Sequence, residues 1–188
     1  MRPFTRALLV FVVLSILTGL AYPFAITGLA RLLFPEKAMG SLVLAGGKVV
    51  GSSLIGQKFT TPQYFHGRPS ASDYDATNSG GTNFGPSNAK FIEEVAKRIA
   101  RIRQEDGLAP TAPVPADLVL ASASGLDPDI SLEGALLQAE RVAKARGLSR
   151  QRVSALLLAS ADHLYGPGSR EMVNVLDLNL SLDALEKR

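Results

Sequence analysis

The stretch Ala7-Leu8-Leu9-Val10-Phe11-Val12-Val13-Leu14-Ser15-Ile16-Leu17-Thr18-Gly19-Leu20-Ala21-Tyr22-Pro23-Phe24-Ala25-Ile26-Thr27-Gly28-Leu29-Ala30 contains no charged residue, while Arg2, Arg6 and Arg31 bracket it. At about 1.5 Å of rise per residue, a helix of this run is roughly 36 Å long, enough to cross a hydrocarbon core of about 30 Å with some tilt. The run predicts one membrane-spanning helix, with everything after it on one side. A cleaved signal peptide is the rival reading, since Gly28-Leu29-Ala30 has the small residues of a cleavage site. Signal cores run only about 7 to 15 residues, however, and Pro23 would fall between core and cut. A retained anchor fits better. Arg2 and Arg6 stand without an acidic neighbour, which puts the N-terminal tail in the cytoplasm and the rest of the chain outside a cell inner (plasma) membrane. Arg31 and Lys37 lessen that asymmetry and Glu36 partly offsets them.

The formal charge of +3 comes largely from the tail: from Arg31 onward there are 18 basic and 17 acidic residues. A nucleic-acid surface needs a concentrated basic face, so this balance argues against one. Residues 1–34 then form tail and span, and the remaining residues, 35–188, are the size of one ordinary domain. The chain has no cysteine, which excludes disulfides, thiol chemistry and zinc–thiolate sites.

Within that domain, Gly46-Gly47 between two apolar runs, residues 41–44 and 49–55, predicts a hairpin. Residues 60–89 are rich in Gly, Pro, Ser, Asn and Asp with little periodicity, a long loop that Tyr64, Phe65, Tyr74 and Phe84 should keep ordered. Ser87 or Asn88 caps a helix that carries Phe91, Ile92, Val95, Ile99 and Ile102 on one face and ends near Gly107. The pairs Glu93 with Lys97 and Glu94 with Arg98 make its basic residues Lys97, Arg98, Arg101 and Arg103 read as a solvated face. After a proline-rich connector, Leu118–Ala121 predicts a short buried strand. Ser131 caps a helix stopped by Gly147, and Ser149 opens another with Val153, Leu156 and Leu157 inward. Val173, Val175, Leu176, Leu178 and Leu180 alternate like a strand, with Ser181 capping a last short helix. The expected class is α+β, helices packed on a small sheet.

Candidate chemistry is sparse. Gly80-Gly81-Thr82-Asn83-Phe84-Gly85-Pro86-Ser87 precedes a helix as phosphate-binding loops do, but Pro86 stands where a P-loop needs lysine and has no N–H to donate. An ordered structural loop is the better reading, with Asn83 free to meet a partner protein. His66 and His163 are far apart, without carboxylates at helical metal spacing, so no metal site is expected. No Gly-x-Ser-x-Gly elbow is present, so a hydrolytic triad has no support. Arg68 reads as a buried arginine satisfying loop carbonyls, and Asp127 as a turn residue bonded to backbone. In the span, Ser15, Gly19, Pro23 and Thr27 recur every fourth residue, a small or polar stripe that lets another helix approach. Pro23 also frees a backbone carbonyl at membrane depth.

Several blocks resemble a known family: Phe59-Thr-Thr-Pro-Gln-Tyr-Phe-His-Gly-Arg-Pro-Ser70, Tyr74 to Asn88 with its Ser-Gly-Gly-Thr-Asn-Phe-Gly-Pro-Ser-Asn core, Val114-Pro-Ala-Asp-Leu-Val119, Ser122 to Ser131, Arg141 to Leu148 and Val173 to Leu180. In this order behind one span they resemble the C subunit of the Kdp potassium-transporting ATPase, across nearly the whole chain. The resemblance implies a non-catalytic accessory subunit of a heteromeric P-type pump. Its implied partners are a channel-like potassium-binding subunit, an ATP-hydrolysing subunit and a small single-span subunit. Potassium is the transported ion, and no firmly bound cofactor is implied. The family has been described as a catalytic chaperone raising ATP affinity, which would make Gln138 a nucleotide contact; the arginine pattern instead puts Gln138 on the side without ATP. An assembly subunit covering the outer potassium entry is therefore the leading expectation. An ATP-contacting chaperone and a membrane-anchored exterior hydrolase are the alternatives.

Overall fold

The computed structural model describes residues 2–163, 166 and 168–185. The chain divides into two compact units, Met1–Leu42 and Val43–Arg188. The first is a long helix in two parts, α1 (Arg2–Ile16) and α2 (Tyr22–Leu33), joined by a π-helical turn at Leu17–Ala21 and followed by the one-turn α3 (Pro35–Ala38). None of its long apolar helix is buried, as a surface facing lipid or another subunit requires. The π-turn has a local cause. Pro23 has no N–H to continue the α pattern, and the turn before it widens so that the Tyr22 N–H reaches Leu17 O. Within the same segment the Thr18 hydroxyl donates to Leu14 O at 2.7 Å.

A hairpin starts at the unit boundary and lies in the second unit from Val43 onward: β1 (Leu42–Ala45) and β2 (Lys48–Ser52), turned at Gly46 and Gly47, which adopt φ of 57° and 77°. Both values belong to the left-handed region that glycine enters without strain. The expected helix follows as α4 (Ala89–Glu105), with the Asn88 side chain accepting from Lys90 N and Phe91 N. Its apolar face is only partly covered, and Ile92 remains 56% exposed.

The core lies around α6 (Leu132–Arg146), which packs on α7 (Arg150–Ser160), and α8 (Val175–Leu185). Ala135, Ala139 and Val142 of α6, Val153 and Leu157 of α7, and Leu178 and Leu182 of α8 are fully buried. Local chemistry sets the helix ends: Ser131 accepts from Gly134 N at 3.0 Å, Gly147 takes φ 64° in the left-handed region, and Ser149 accepts from Arg152 N.

Three expectations are corrected. Residues Ala116–Val119 form a helical turn, α5, rather than a strand over 118–121, because Leu118 N and Leu120 N donate to Pro115 O and Ala116 O while Asp117 is held inward by Ser131. The strand read over Val173–Leu180 is real only at β4 (Met172–Asn174); from Val175 the chain is helical. The buried set Val175, Leu176, Leu178, Asn179 and Leu182 repeats at helical spacing, so the alternating leucines fit both periods and packing selects the helix. Asn174, accepting from Asp177 N at 3.2 Å, begins α8, and Ser181 lies inside it rather than capping it. The sheet is also not single. Among the described residues there are two separate two-stranded sheets, β1 with β2, and β3 (Asp129–Ser131) antiparallel with β4. In the latter, Ile130 opposite Val173 completes the core.

Asp117 ties α5 to the start of α6: its carboxylate accepts from Ser131 N at 2.6 Å and from Ser131 Oγ at 3.0 Å. Asp117→Ala leaves those buried donors unpaired and should destabilise the second unit by about 1–3 kcal/mol. Thermal unfolding of the full chain in detergent measures this, and an unchanged midpoint would show that the tie is dispensable.

Candidate functional site

The motif Pro62-Gln63-Tyr64-Phe65-His66-Gly67-Arg68 crosses the second unit with Phe65 fully buried, although it belongs to no helix or strand. Its backbone N–H and C=O groups must find partners other than water. Side chains supply them. Asn179 of α8 accepts from Phe65 N at 2.9 Å and donates to Phe65 O at 3.0 Å. Gln138 of α6 treats the next residue the same way, accepting from His66 N at 2.8 Å and donating to His66 O at 3.1 Å. Arg141, one turn beyond Gln138, donates to Pro62 O at 2.7 Å, to Tyr64 O at 2.9 Å and to Gln138 Oε1 at 2.7 Å. Arg146 donates to Gln63 O at 2.6 Å and lies over the Tyr64 ring. The Tyr74 hydroxyl donates to Arg68 O at 2.5 Å.

The Arg141 guanidinium also pairs with Asp106 at 2.8 Å, both side chains almost entirely inaccessible at 7% and 4% exposure. Burial pushes the Asp106 carboxyl above its ordinary range, against the opposing pull of Arg141. His66 is held below the usual histidine range, first by burial and then by Arg141. Burial, with Asp127 nearby, pushes the Tyr74 phenol up to about 12.

Beside this segment lies a cavity of about 300 Å³ whose lining includes His66, Arg68, Tyr74, Arg98, Arg101 and Gln138. Its basic side chains are already compensated. Lys58 pairs with Asp73 at 2.6 Å, Arg68 with Asp127 at 2.8 Å, Arg98 with Glu94 at 3.5 Å and Arg101 with Glu105 at 2.7 Å. Gln138 itself is 2% exposed. Among the described residues no group of three His, Asp or Glu side chains is placed to hold a metal ion.

Arg68 also donates to Leu120 O, and Asp127 accepts from Asp129 N, the loop roles read for both from sequence. The reading of α4's basic residues as a solvated face holds only in part. Arg98 donates to Val119 O of α5 at 2.9 Å, and Arg103 donates twice to Ala112 O in the connector, so two of the four are bonded to backbone carbonyls. Asn83 is exposed, with φ of 55°. Ser15, Gly19, Pro23 and Thr27 belong to the first unit, and a Cβ added at Gly19 would meet nothing within 4 Å. Sequence pattern alone does not group Arg141, Asp106 and Asn179; its signal is limited to Arg141 and Asn179, polar side chains among the apolar residues of α6 and α8, and does not extend to Asp106 at the end of α4.

The family described as KdpC, the c chain of K+-transporting ATPase, matches residues 4–184. This chain belongs to that family. It is 50% identical over 190 residues to a potassium-transporting ATPase KdpC subunit of Rhodopseudomonas palustris (strain TIE-1), covering 93% of each chain. A subunit of the same name from Variovorax paradoxus (strain S110) is 53% identical over 182 residues, covering 95% of this chain and 94% of the relative. One from Caldanaerobacter subterraneus subsp. tengcongensis is 51% identical over 171 residues, covering 90% and 89%. Membership joins the apolar helix and the mixed α+β unit in one membrane-associated subunit of a potassium-transporting P-type ATPase.

Two outcomes follow from the clamp. Gln138→Leu removes partners from His66 N, His66 O and Arg141, and should lower stability by about 1–3 kcal/mol, read by thermal unfolding of the full chain. For His66, the folded state binds fewer protons than the unfolded one across the interval between its lowered pKa and the ordinary histidine range. Its contribution is therefore neutral above that range and increasingly destabilising as pH falls through it. Unfolding midpoints measured from neutral to mildly acidic pH should fall more steeply for the parent than for His66→Gln.

Proposed function

We propose that this chain is a non-catalytic assembly subunit of a high-affinity, ATP-driven potassium uptake pump. The proposal places Arg2–Leu33 in the bilayer and the second unit on the extracytoplasmic side, covering the outer entry of the potassium pathway into the cytoplasm. One observation carries it: the polar side chains at the best-formed site, Gln138 and Arg141 above all, are spent on holding the chain's own backbone. Such a site gives a rigid surface for neighbours rather than reactive groups for a substrate. The neighbours in this reading are a channel-like potassium-binding subunit, an ATP-hydrolysing subunit and a small single-span subunit.

The stripe Ser15, Gly19, Pro23 and Thr27 gives the span a face for another helix, and Asn83 offers an exposed contact on the 60–89 loop. Gly19 has open space around it in this chain, so a larger residue there disturbs only a partner. Gly19→Leu should cut co-purification of the other subunits by about tenfold, equivalent to about 1.4 kcal/mol. Unchanged recovery would remove the span from the assembly surface.

Direct nucleotide contact through Gln138 is the competing outcome. It requires the second unit in the cytoplasm. A cysteine at exposed Gln151, in a chain that has none of its own, should react with an impermeant reagent added outside intact cells. Reaction only after permeabilisation would reverse the topology and restore the nucleotide reading.

A further inference from the structure

Exposed large hydrophobic side chains are unevenly distributed beyond the span. Between Phe34 and Ile55 they include Leu44 at 65%, Val49 at 58% and Leu54 at 62% exposure, whereas among the described residues after Ile55 only Ile92 and Leu158 are of this kind. Charge is distributed in the same way. Residues 31–55 carry Arg31, Lys37 and Lys48 against Glu36 alone, a net +2, while the chain from residue 56 onward has 15 basic and 16 acidic residues, a net −1. The first segment is thus apolar and basic, and the remainder polar and nearly neutral.

The structure shows how this composition is presented. The β1–β2 sheet has no third strand among the described residues, and an isolated two-stranded hairpin is marginal in water. Gln57 fastens one side by donating to Val50 O at 2.8 Å. Leu44, Val49 and Leu54 stay uncovered, and Lys48 is exposed, with no ion pair among the described residues. Only eight residues separate Leu33 from Leu42, so even a fully extended connection keeps the hairpin within about 32 Å of the end of the span. Part of that connection is the helical α3, which shortens the reach further.

We propose that the β1–β2 hairpin rests on the membrane surface, with its leucines and valines in the interfacial layer and Lys48 against anionic phospholipid headgroups. Apolar side chains interleaved with lysine suit that layer, where burial and attraction to anionic lipid add together. A protein occupant fits less well, because residues 42–55 contain none of the Trp, Tyr, Phe, Met or Arg that anchor protein interfaces. The inference rests on Arg2–Leu33 lying in the bilayer, which one arm of the experiment reads separately.

The absence of native cysteine allows single-site labelling of the full chain in vesicles of phosphatidylcholine and phosphatidylglycerol. An environment-sensitive fluorophore is placed in turn at Leu44→Cys, Val49→Cys, Leu158→Cys and Leu14→Cys, and nitroxide-bearing lipids serve as quenchers. Labels at 44 and 49 should be quenched about twofold or more above the label at 158 by a nitroxide near the headgroup. The label at 14 should respond to a nitroxide deep in the acyl chains. Adding Lys48→Glu should reduce quenching at 44 in phosphatidylglycerol vesicles and leave it unchanged in phosphatidylcholine alone. Quenching at 44 and 49 no greater than at 158, with 14 quenched normally, overturns the inference while leaving the span intact. Shielding at 44 that needs the other pump subunits and lacks lipid quenching also overturns it, in favour of a protein occupant. No quenching at 14 removes the span and the inference together.

Discussion

The second unit depends on a backbone segment that enters the core without joining a sheet. Phe65 supplies its largest fully buried side chain, yet burying Phe65 takes the neighbouring peptide groups out of water as well. Each such group costs energy unless it is paired. Gln138 and Asn179 meet this demand with side-chain amides, which carry a donor and an acceptor together and so act on successive residues as a neighbouring strand would. Arg141 adds a guanidinium whose donors serve two carbonyls, one amide oxygen and one carboxylate. The positions of α6 and α8 are thereby fixed to the same segment.

This arrangement joins three of the blocks that carry the family resemblance, Phe59–Ser70, Arg141–Leu148 and Val173–Leu180. The segment from Pro62 to Arg68 and the helix residues that hold it are far apart in sequence, yet neither has a satisfied structure without the other. It also separates two roles that proximity alone would merge. Gln138 borders a cavity, but its hydrogen bonds are committed to His66, Gly134 and Arg141. Gaining a ligand there would mean giving up contacts to the protein's own backbone.

Much of the helical framework was legible because its signals are local. Asn88, Ser131, Gly147 and Ser149 act within a few residues of themselves, and Gly46-Gly47 specifies its own turn. The alternation after Val173 is ambiguous because leucines at every second position satisfy a strand pattern while the wider set from Val175 to Leu182 satisfies a helical one. Strands β3 and β4 are three residues each, too short to carry a periodic pattern, and exist because Ile130 and Val173 meet in the core. The clamp was the least legible part. Asp106 and Arg141 lie 35 residues apart, and nothing in the order of residues states that they pair. Asn179 sits in the alternating stretch and gave no separate sign of its partner 114 residues earlier.

The π-turn at Leu17–Ala21 changes the geometry of the small-residue pattern around it. In an uninterrupted α-helix each residue advances about 100°, so positions four apart drift by about 40° per step, and Ser15 to Thr27 would wind about 120° around the axis. One π-turn accommodates an extra residue and removes about 100° of that winding. The net offset falls to about 20°. Ser15, Gly19, Pro23 and Thr27 thus form a nearly straight seam along the helix instead of a spiral, and the same proline that interrupts the hydrogen-bond ladder brings them into line.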